Sequence, residues 1–180
     1  MLFITDKKVY STCIESLKNK PAIPPSMPEI KKTYAGLASK YKLPDFDALN
    51  NAFEISTIEH DDFLLREIRR KIADKIEFYT HMLESILQPD AASVINMHEY
   101  RAFDETRKKA LFTLYKELMF FFRTALVLEC ALDDKKEAAF IIDVVNKWPL
   151  FKKEFANVVE QLKNSWTVDT DVSEDLEYLG

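Results

Sequence analysis

Carboxylate and imidazole side chains that could ligate a metal ion occur together at two places in the sequence. Glu59 and Asp62 form a Glu-x-x-Asp pair, and Glu77, His81 and Glu84 follow one another at helical spacing. Mg²⁺ sites in helical nucleotide hydrolases need matching pairs on facing helices, because the ion prefers several carboxylate oxygens. Neither cluster has such a matching half. We therefore predict no metal and no cofactor, and keep a metal-dependent helical hydrolase as an alternative.

Motifs for nucleophilic or nucleotide chemistry are also missing from the sequence. There is no Gly-x-Ser-x-Gly or His-Glu-x-x-His, and His98 has no partner that the sequence reveals. The chain has only two glycines, Gly36 and Gly180, so a dinucleotide fingerprint or a Walker loop cannot be built. Cys13 and Cys130 lack zinc-site spacing, and we interpret them as reduced, small apolar residues. Catalysis is therefore not expected.

A first basic face is predicted in the segment REIRRK. Arg66 and Arg70 share one side of the predicted helix, with Arg69 at the edge of its apolar stripe. These side chains could contact phosphates or a protein partner, or could pair with neighbouring acids. All 25 basic side chains precede residue 167, as do all but five of the 30 acidic ones. Because the balance there is neutral, broad nucleic-acid binding is not predicted.

A second basic face is predicted around the apolar segment LMFFFRTALVLECAL. Lys109, Lys116 and Arg123 follow one another at seven-residue steps, with Phe120 and Val127 beside them. This pattern indicates a mixed basic and apolar surface that could bind a partner. The opposite side should form the core stripe, which consists of Leu111, Leu114, Leu118, Phe121, Phe122, Ala125, Leu128 and Leu132.

Glu129 is the one acid of this helix that projects toward the predicted core. A buried carboxylate needs a partner, because an uncompensated charge is costly away from water. We expect Glu129 either to pair with a base from another helix, with Arg69 as the candidate, or to reach solvent near the helix end.

The last 14 residues, TVDTDVSEDLEYLG, carry five acids and no base, which equals the net charge of −5 of the whole chain. Apolar residues alternate with these acids, as in segments that fold onto a basic, apolar groove. We expect a flexible tail that binds a partner or lies on the chain's own basic face. The candidate partner-binding residues of the tail are Asp171, Glu174, Asp175, Leu176 and Tyr178.

Helical periodicity dominates the rest of the chain. The predicted helices cover 5–19, 26–41, 46–53, 59–88, a short stretch within 91–100, 105–131, 135–148 and 150–166, with Pro149 separating the last two. We predict an all-α, mostly antiparallel bundle of about six to eight helices, two of them long. One domain should span 1–166, followed by an acidic tail over 167–180.

These patterns favour a non-catalytic intracellular protein that mediates macromolecular interaction or regulation. A protein partner is expected, and a nucleic-acid-associated factor is the second alternative. No window of 18 residues is free of charge, so no membrane span is expected, and a cytoplasmic location follows as an expectation.

Overall fold

Helices form all of the regular structure in residues 27–167, the part of the chain that the computed structural model describes. They are α1 (Met27–Tyr41), α2 (Phe46–Phe53), α3 (Leu64–Leu87), α4 (Val94–Arg101), α5 (Glu105–Glu129) and α6 (Asp134–Ser165), with a 3-10 turn at Ile55–Thr57. The predicted all-α fold is confirmed. The first predicted helix (5–19) and nearly all of the acidic tail lie outside the described residues.

Side-chain caps begin most of these helices where the sequence places Asp or Ser. Asp45, Ser93, Asp104 and Asp133 each accept hydrogen bonds from backbone N–H groups in the first turn of α2, α4, α5 and α6. Such caps satisfy donors that have no partner within the helix.

Turns without glycine join the helices, as the glycine count predicts. Lys42 follows α1 with φ of 57°, and Glu54 follows α2 with φ of 56°. Both residues therefore adopt the left-handed conformation that more often falls to glycine at a helix end.

Helix α3 lies at the centre, where it packs against α2, α4, α5 and α6. Its start contacts the end of α5 through Arg69 and Glu129, so α3 and α5 run antiparallel. Helices α5 and α6 are also antiparallel, because Arg107 near the start of α5 pairs with Glu154 in the second half of α6. The predicted antiparallel arrangement therefore describes two of the three long-helix pairs.

The third long-helix pair, α3 and α6, is parallel. Arg69 and Glu137 meet near the two N-terminal ends, and Tyr79 stacks on Phe155 farther along both helices. Apolar side chains from all three long helices fill the space between them.

Helix α6 corrects the prediction that Pro149 separates two helices. The helix is 32 residues long and continues through Pro149. Proline removes one backbone hydrogen bond and crowds the preceding turn. Here Pro149 is exposed, so its ring lies on the solvent side, while Val144 and Trp148 before it and Phe151 after it are all buried. Burial of one continuous face on both sides of the proline holds the helix together.

Three further predictions are wrong in detail. Helix α3 begins at Leu64 rather than at Glu59, because buried Ile55 and Ile58 anchor a 3-10 turn, and residues 59–63 after it follow an irregular path. Leu132, which was assigned to the core, follows the end of α5 and is 81% exposed. Cys130 is also exposed and therefore does not pack as a small apolar residue.

Candidate functional site

Arg69 lies inside the helical bundle and not on an exposed basic face. Its side chain is only 2% exposed, and it donates hydrogen bonds to Glu137 Oε2 at 2.8 Å and to the Ala125 carbonyl oxygen at 3.0 Å. A third donor, Nη2, contacts Glu129. The placement of Arg69 on a surface is therefore corrected, because its donors are committed to α5 and α6.

Glu129 joins Arg69 to Arg70. It accepts hydrogen bonds from Arg69 and from both Nε and Nη2 of Arg70, and Arg70 also donates to Glu67 at 2.7 Å. The predicted pairing of Glu129 with Arg69 is confirmed. Its position at the end of α5 also leaves the carboxylate partly exposed. Arg69, Arg70, Glu67, Glu129 and Glu137 are called the Arg69 network below.

The pKa values of the two carboxylates that hold Arg69, Glu129 and Glu137, are shifted in opposite directions. Hydrogen bonds from Arg70 and Arg69 lower the pKa of Glu129 to about 2. Burial raises the pKa of Glu137 above its ordinary value, and the attraction of Arg69 offsets this only in part. Oε1 of Glu137 is buried and accepts no hydrogen bond from any residue within 27–167.

The depressed pKa of Glu129 predicts a pH-dependent contribution to stability. We expect Glu129→Gln to cost about 1–2 kcal/mol at neutral pH, since hydrogen bonds between charged groups are strong but exposure weakens them. Because the folded pKa lies below the unfolded value, this cost should be fully present above about pH 5 and fade as the pH falls toward about 2. Urea denaturation of both proteins across this range measures the difference.

The control for this prediction is Glu160→Gln, which removes an exposed carboxylate on α6 whose ion pair within residues 27–167 is with Lys163. Its effect should stay below about 0.5 kcal/mol at every pH. A difference between wild type and Glu129→Gln that does not shrink in acid would contradict the assigned pairing.

The environment of Arg66 differs from those of Arg69 and Arg70. Its guanidinium lies over the ring of Phe63, 5.2 Å from the ring centroid, in a cation–π contact. The three arginines of REIRRK therefore have three different environments, namely a buried network, its partly exposed edge and an aromatic surface. They do not form one continuous basic patch.

The basic face predicted on α5 is exposed. Lys109, Lys116 and Arg123 are all accessible, and none of them pairs with a carboxylate of residues 27–167. Phe120 and Val127 are each 68% exposed along the same side, and Phe112 is 51% exposed. Lys116 also lies over the Phe112 ring, 5.3 Å from its centroid. We call Lys109, Phe112, Lys116, Phe120, Arg123 and Val127 the α5 face.

A groove opens at the N-terminal end of the α5 face. It has a volume of about 470 Å³ and lies between the end of α3 and the start of α5. Leu87, Phe112 and Tyr115 supply apolar lining, and Lys108 and Glu105 line it beside them. Such a groove can receive an apolar side chain of a molecule that lies along α5.

The carboxylates considered as metal ligands do not form a metal site. Glu59 and Asp62 precede α3, while Glu77, His81 and Glu84 are exposed on α3 itself. Within residues 27–167, no group of three or more histidine, cysteine or acidic side chains could hold a metal ion. Because Glu59 and Asp62 precede the first residue of α3, they do not share a helical face with Glu77, His81 and Glu84.

His98 has contacts that the sequence does not reveal. Its Nε2 lies 3.2 Å from the carbonyl oxygen of Ser165, and its ring packs 4.3 Å from the ring of Trp166. Trp166 in turn donates to Glu99 at 3.2 Å. This histidine therefore attaches the end of α6 to α4, and its contacts describe a structural role.

Within residues 27–167, no helix combines the length with the apolar character that a membrane span requires. Comparisons with protein-family models, with curated proteins and with solved structures find no match to this chain.

Proposed function

We propose that this chain is a non-catalytic interaction protein whose α5 face binds an acidic, amphipathic segment of another protein. The observation that supports this proposal is the exposure of Phe120 and Val127 between basic side chains that have no carboxylate partner within residues 27–167. Exposed apolar patches that are rimmed by polar side chains are typical of protein interaction sites. The acidic tail is proposed as a second partner-binding element.

The spacing of the α5 face suits a helix or an extended segment that lies along α5. Lys109, Lys116 and Arg123 repeat every seven residues, so neighbouring charges lie about 10 Å apart along the helix axis. Phe120 and Val127 follow the same repeat, and acids spaced likewise on a partner would meet each base. An apolar side chain of the partner would enter the groove beside Phe112.

A protein segment fits this face better than a nucleic acid does. Phosphates would pair with the three basic side chains, but Val127 and Leu126 would gain nothing from a phosphate backbone. Both side chains are exposed on α5. The neutral balance of residues 1–166 also lacks the excess of positive charge that nucleic-acid-binding domains usually carry.

We expect the double charge reversal Lys116→Glu/Arg123→Glu to weaken partner binding by at least tenfold, because it places like charges opposite the acids of the partner. Phe120→Ala should cost about 2 kcal/mol of binding energy, or roughly thirtyfold in Kd. A photo-crosslinking residue at Phe120 identifies the partner in cells, and calorimetry with the purified partner then measures each variant.

The matched control is Lys152→Glu/Lys153→Glu, which makes the same change of charge on exposed positions of α6. It should alter Kd less than about threefold if contact, and not net charge, governs binding. Equal losses in both double variants would overturn the proposed face. Capture of nucleic acid alone, with affinity that falls steeply between low and moderate salt, would establish the nucleic-acid alternative instead.

A further inference from the structure

An acidic cleft lies on a different part of the molecule from the α5 face. Its volume is about 320 Å³, and it opens between α1, the segment before α3 and the start of α6. Ligand clefts in proteins begin at about this size. Five carboxylates and one arginine line it, and they are Asp61, Asp62, Asp133, Asp134, Glu137 and Arg66.

Four of the five carboxylates already have partners, and one of them is Glu137, which accepts from Arg69. Asp61 accepts from the Thr33 hydroxyl at 2.9 Å, Asp134 accepts from the Tyr41 hydroxyl at 3.3 Å, and Asp133 caps α6. The donors to Asp61 and Asp134 are neutral, so they cancel none of the negative charge of these two side chains, whereas Asp133 also pairs with Lys136 at 3.7 Å. Asp62 is exposed and accepts no hydrogen bond from any residue in 27–167.

Glu137 is a separate indication that the cleft receives a ligand. It lines the cleft from the start of α6, and it is 3% exposed. Oε2 accepts from Arg69, but the buried Oε1 has no hydrogen-bond partner in the described part of the chain. Buried polar atoms almost always have a partner, so an acceptor without one is unusual in a residue that lines the cleft, and a donor bound beside it would satisfy it.

The other walls of the cleft are apolar. Leu37, Leu64 and Leu65 line it, and the exposed side chains of Phe63 and Leu132 flank it. Neither exposed residue contributes to the core, so their apolar surfaces are available to a ligand. Phe63 already holds the Arg66 guanidinium over its ring, which shows that this wall accepts a planar cation.

We propose that the acidic cleft binds an organic cation, a guanidinium or ammonium group carried on an aliphatic stem. The carboxylates attract and hydrogen-bond the cationic group, while the leucine and phenylalanine side chains contact the stem. The carboxylates are too dispersed to surround a bare metal ion, since no group of metal-ligating side chains occurs within residues 27–167. The cation is either a small polyamine or guanidine, or the Lys or Arg side chain of a protein.

Substitution of Arg66 should change ligand affinity in the opposite direction from substitution of the cleft carboxylates. Among residues 27–167, Arg66 is the basic side chain that lines the cleft, so it competes with the ligand for the carboxylates and for Phe63. Neutralising Arg66 should therefore strengthen binding, whereas neutralising the acids should weaken it. A general loss of folding would weaken binding in both variants.

The test is calorimetric titration of the full chain with agmatine, with spermidine, and with a short peptide that contains one arginine among neutral residues. Asp62→Asn/Asp134→Asn should weaken binding about tenfold, and Arg66→Gln should strengthen it about threefold. Asp143→Asn, which removes an exposed carboxylate elsewhere on α6, should leave affinity within about twofold of wild type. Because Glu137→Gln could unfold the chain, the exposed aspartates carry the test.

The probes distinguish the source of the cation. Binding of agmatine or spermidine at least as tight as that of the peptide supports a small-molecule ligand, and preference for the peptide supports a protein side chain. Replacing the arginine of the peptide by uncharged citrulline should abolish its binding. The proposal is overturned if none of the probes binds, or if Asp143→Asn weakens binding as much as the cleft variants do.

Discussion

Replacing Arg69 by methionine should lower the free energy of unfolding by about 3–5 kcal/mol, because it leaves a buried carboxylate without its counter-ion. Glu137 would lose the donor that holds Oε2, while Oε1 already lacks a partner within the described residues. The Ala125 carbonyl oxygen would lose the hydrogen bond that Arg69 donates. Methionine keeps most of the side-chain volume, so the loss reports charge and hydrogen bonding more than a cavity.

Urea denaturation of wild type and variant measures this effect, with Arg70→Gln as the matched control. Arg70 belongs to the same network but is exposed, so its loss should cost no more than about 1 kcal/mol. The double variant Arg69→Met/Glu137→Leu should recover much of the stability, since an apolar pair often replaces a buried ion pair without loss. A cost below about 1 kcal/mol for Arg69→Met, or no recovery in the double variant, would contradict this account.

The Arg69 network also relates the two proposed sites. Through Glu129 it fixes the end of α5, the helix that carries the α5 face. Through Glu137 it fixes the start of α6, which lines the acidic cleft. Because Glu137 lines the cleft and contacts the Arg69 guanidinium, loss of Arg69 should disturb the cleft directly. The middle of the α5 face, around Phe120, lies more than two turns from Glu129 and should be disturbed less.

Sequence periodicity predicts the core of this fold well, because helices place residues at fixed angles. Helical spacing places Ile68, Ile72, Ile76 and Leu83 on one stripe of α3, and all four are fully buried. The same geometry directed Glu129 toward Arg69. Glu137 was missed, although it precedes Ile141 on α6 by one helical turn and so had to point inward.

Helix ends were predicted less accurately, because tertiary contacts decide them. A proline at position 149 predicts a break, but burial of Trp148 and Phe151 on one face keeps α6 continuous. Likewise, the burial of Ile55 and Ile58 delays the start of α3. In each case the apolar contacts of neighbouring turns outweigh the local preference of one residue.

The two candidate sites also differ in how far the sequence alone predicts them. The α5 face follows from seven-residue spacing within one helix, so Lys109, Lys116 and Arg123 could be assigned from the sequence. The acidic cleft brings together Thr33, Asp62 and Glu137, which are far apart in the chain. No sequence spacing encodes that proximity, and only the packing of α1 and α6 beside the start of α3 creates it.

Trp148→Ala should also cost about 3–5 kcal/mol, because it removes a large buried ring from the contact between helices. The Trp148 ring lies 4.6 Å from that of Phe53 and 5.2 Å from that of Tyr79, measured between centroids. Tyr79 stacks in turn on Phe155 at 3.7 Å. The indole therefore connects α2, α3 and α6, and an alanine would leave a cavity that surrounding rings can fill only in part.

Trp166→Ala is the control, since it removes the same side chain from a different environment. Trp148 is 5% exposed, whereas Trp166 is 53% exposed. Trp166 follows the end of α6 and contacts His98 and Glu99 of α4. We expect its loss to cost about 1 kcal/mol, in proportion to the smaller area that it buries. Thermal or urea denaturation compares the two variants. Equal costs would mean that the cluster around Trp148 tolerates a cavity, and that α2 and α6 are held to α3 mainly by their aliphatic contacts.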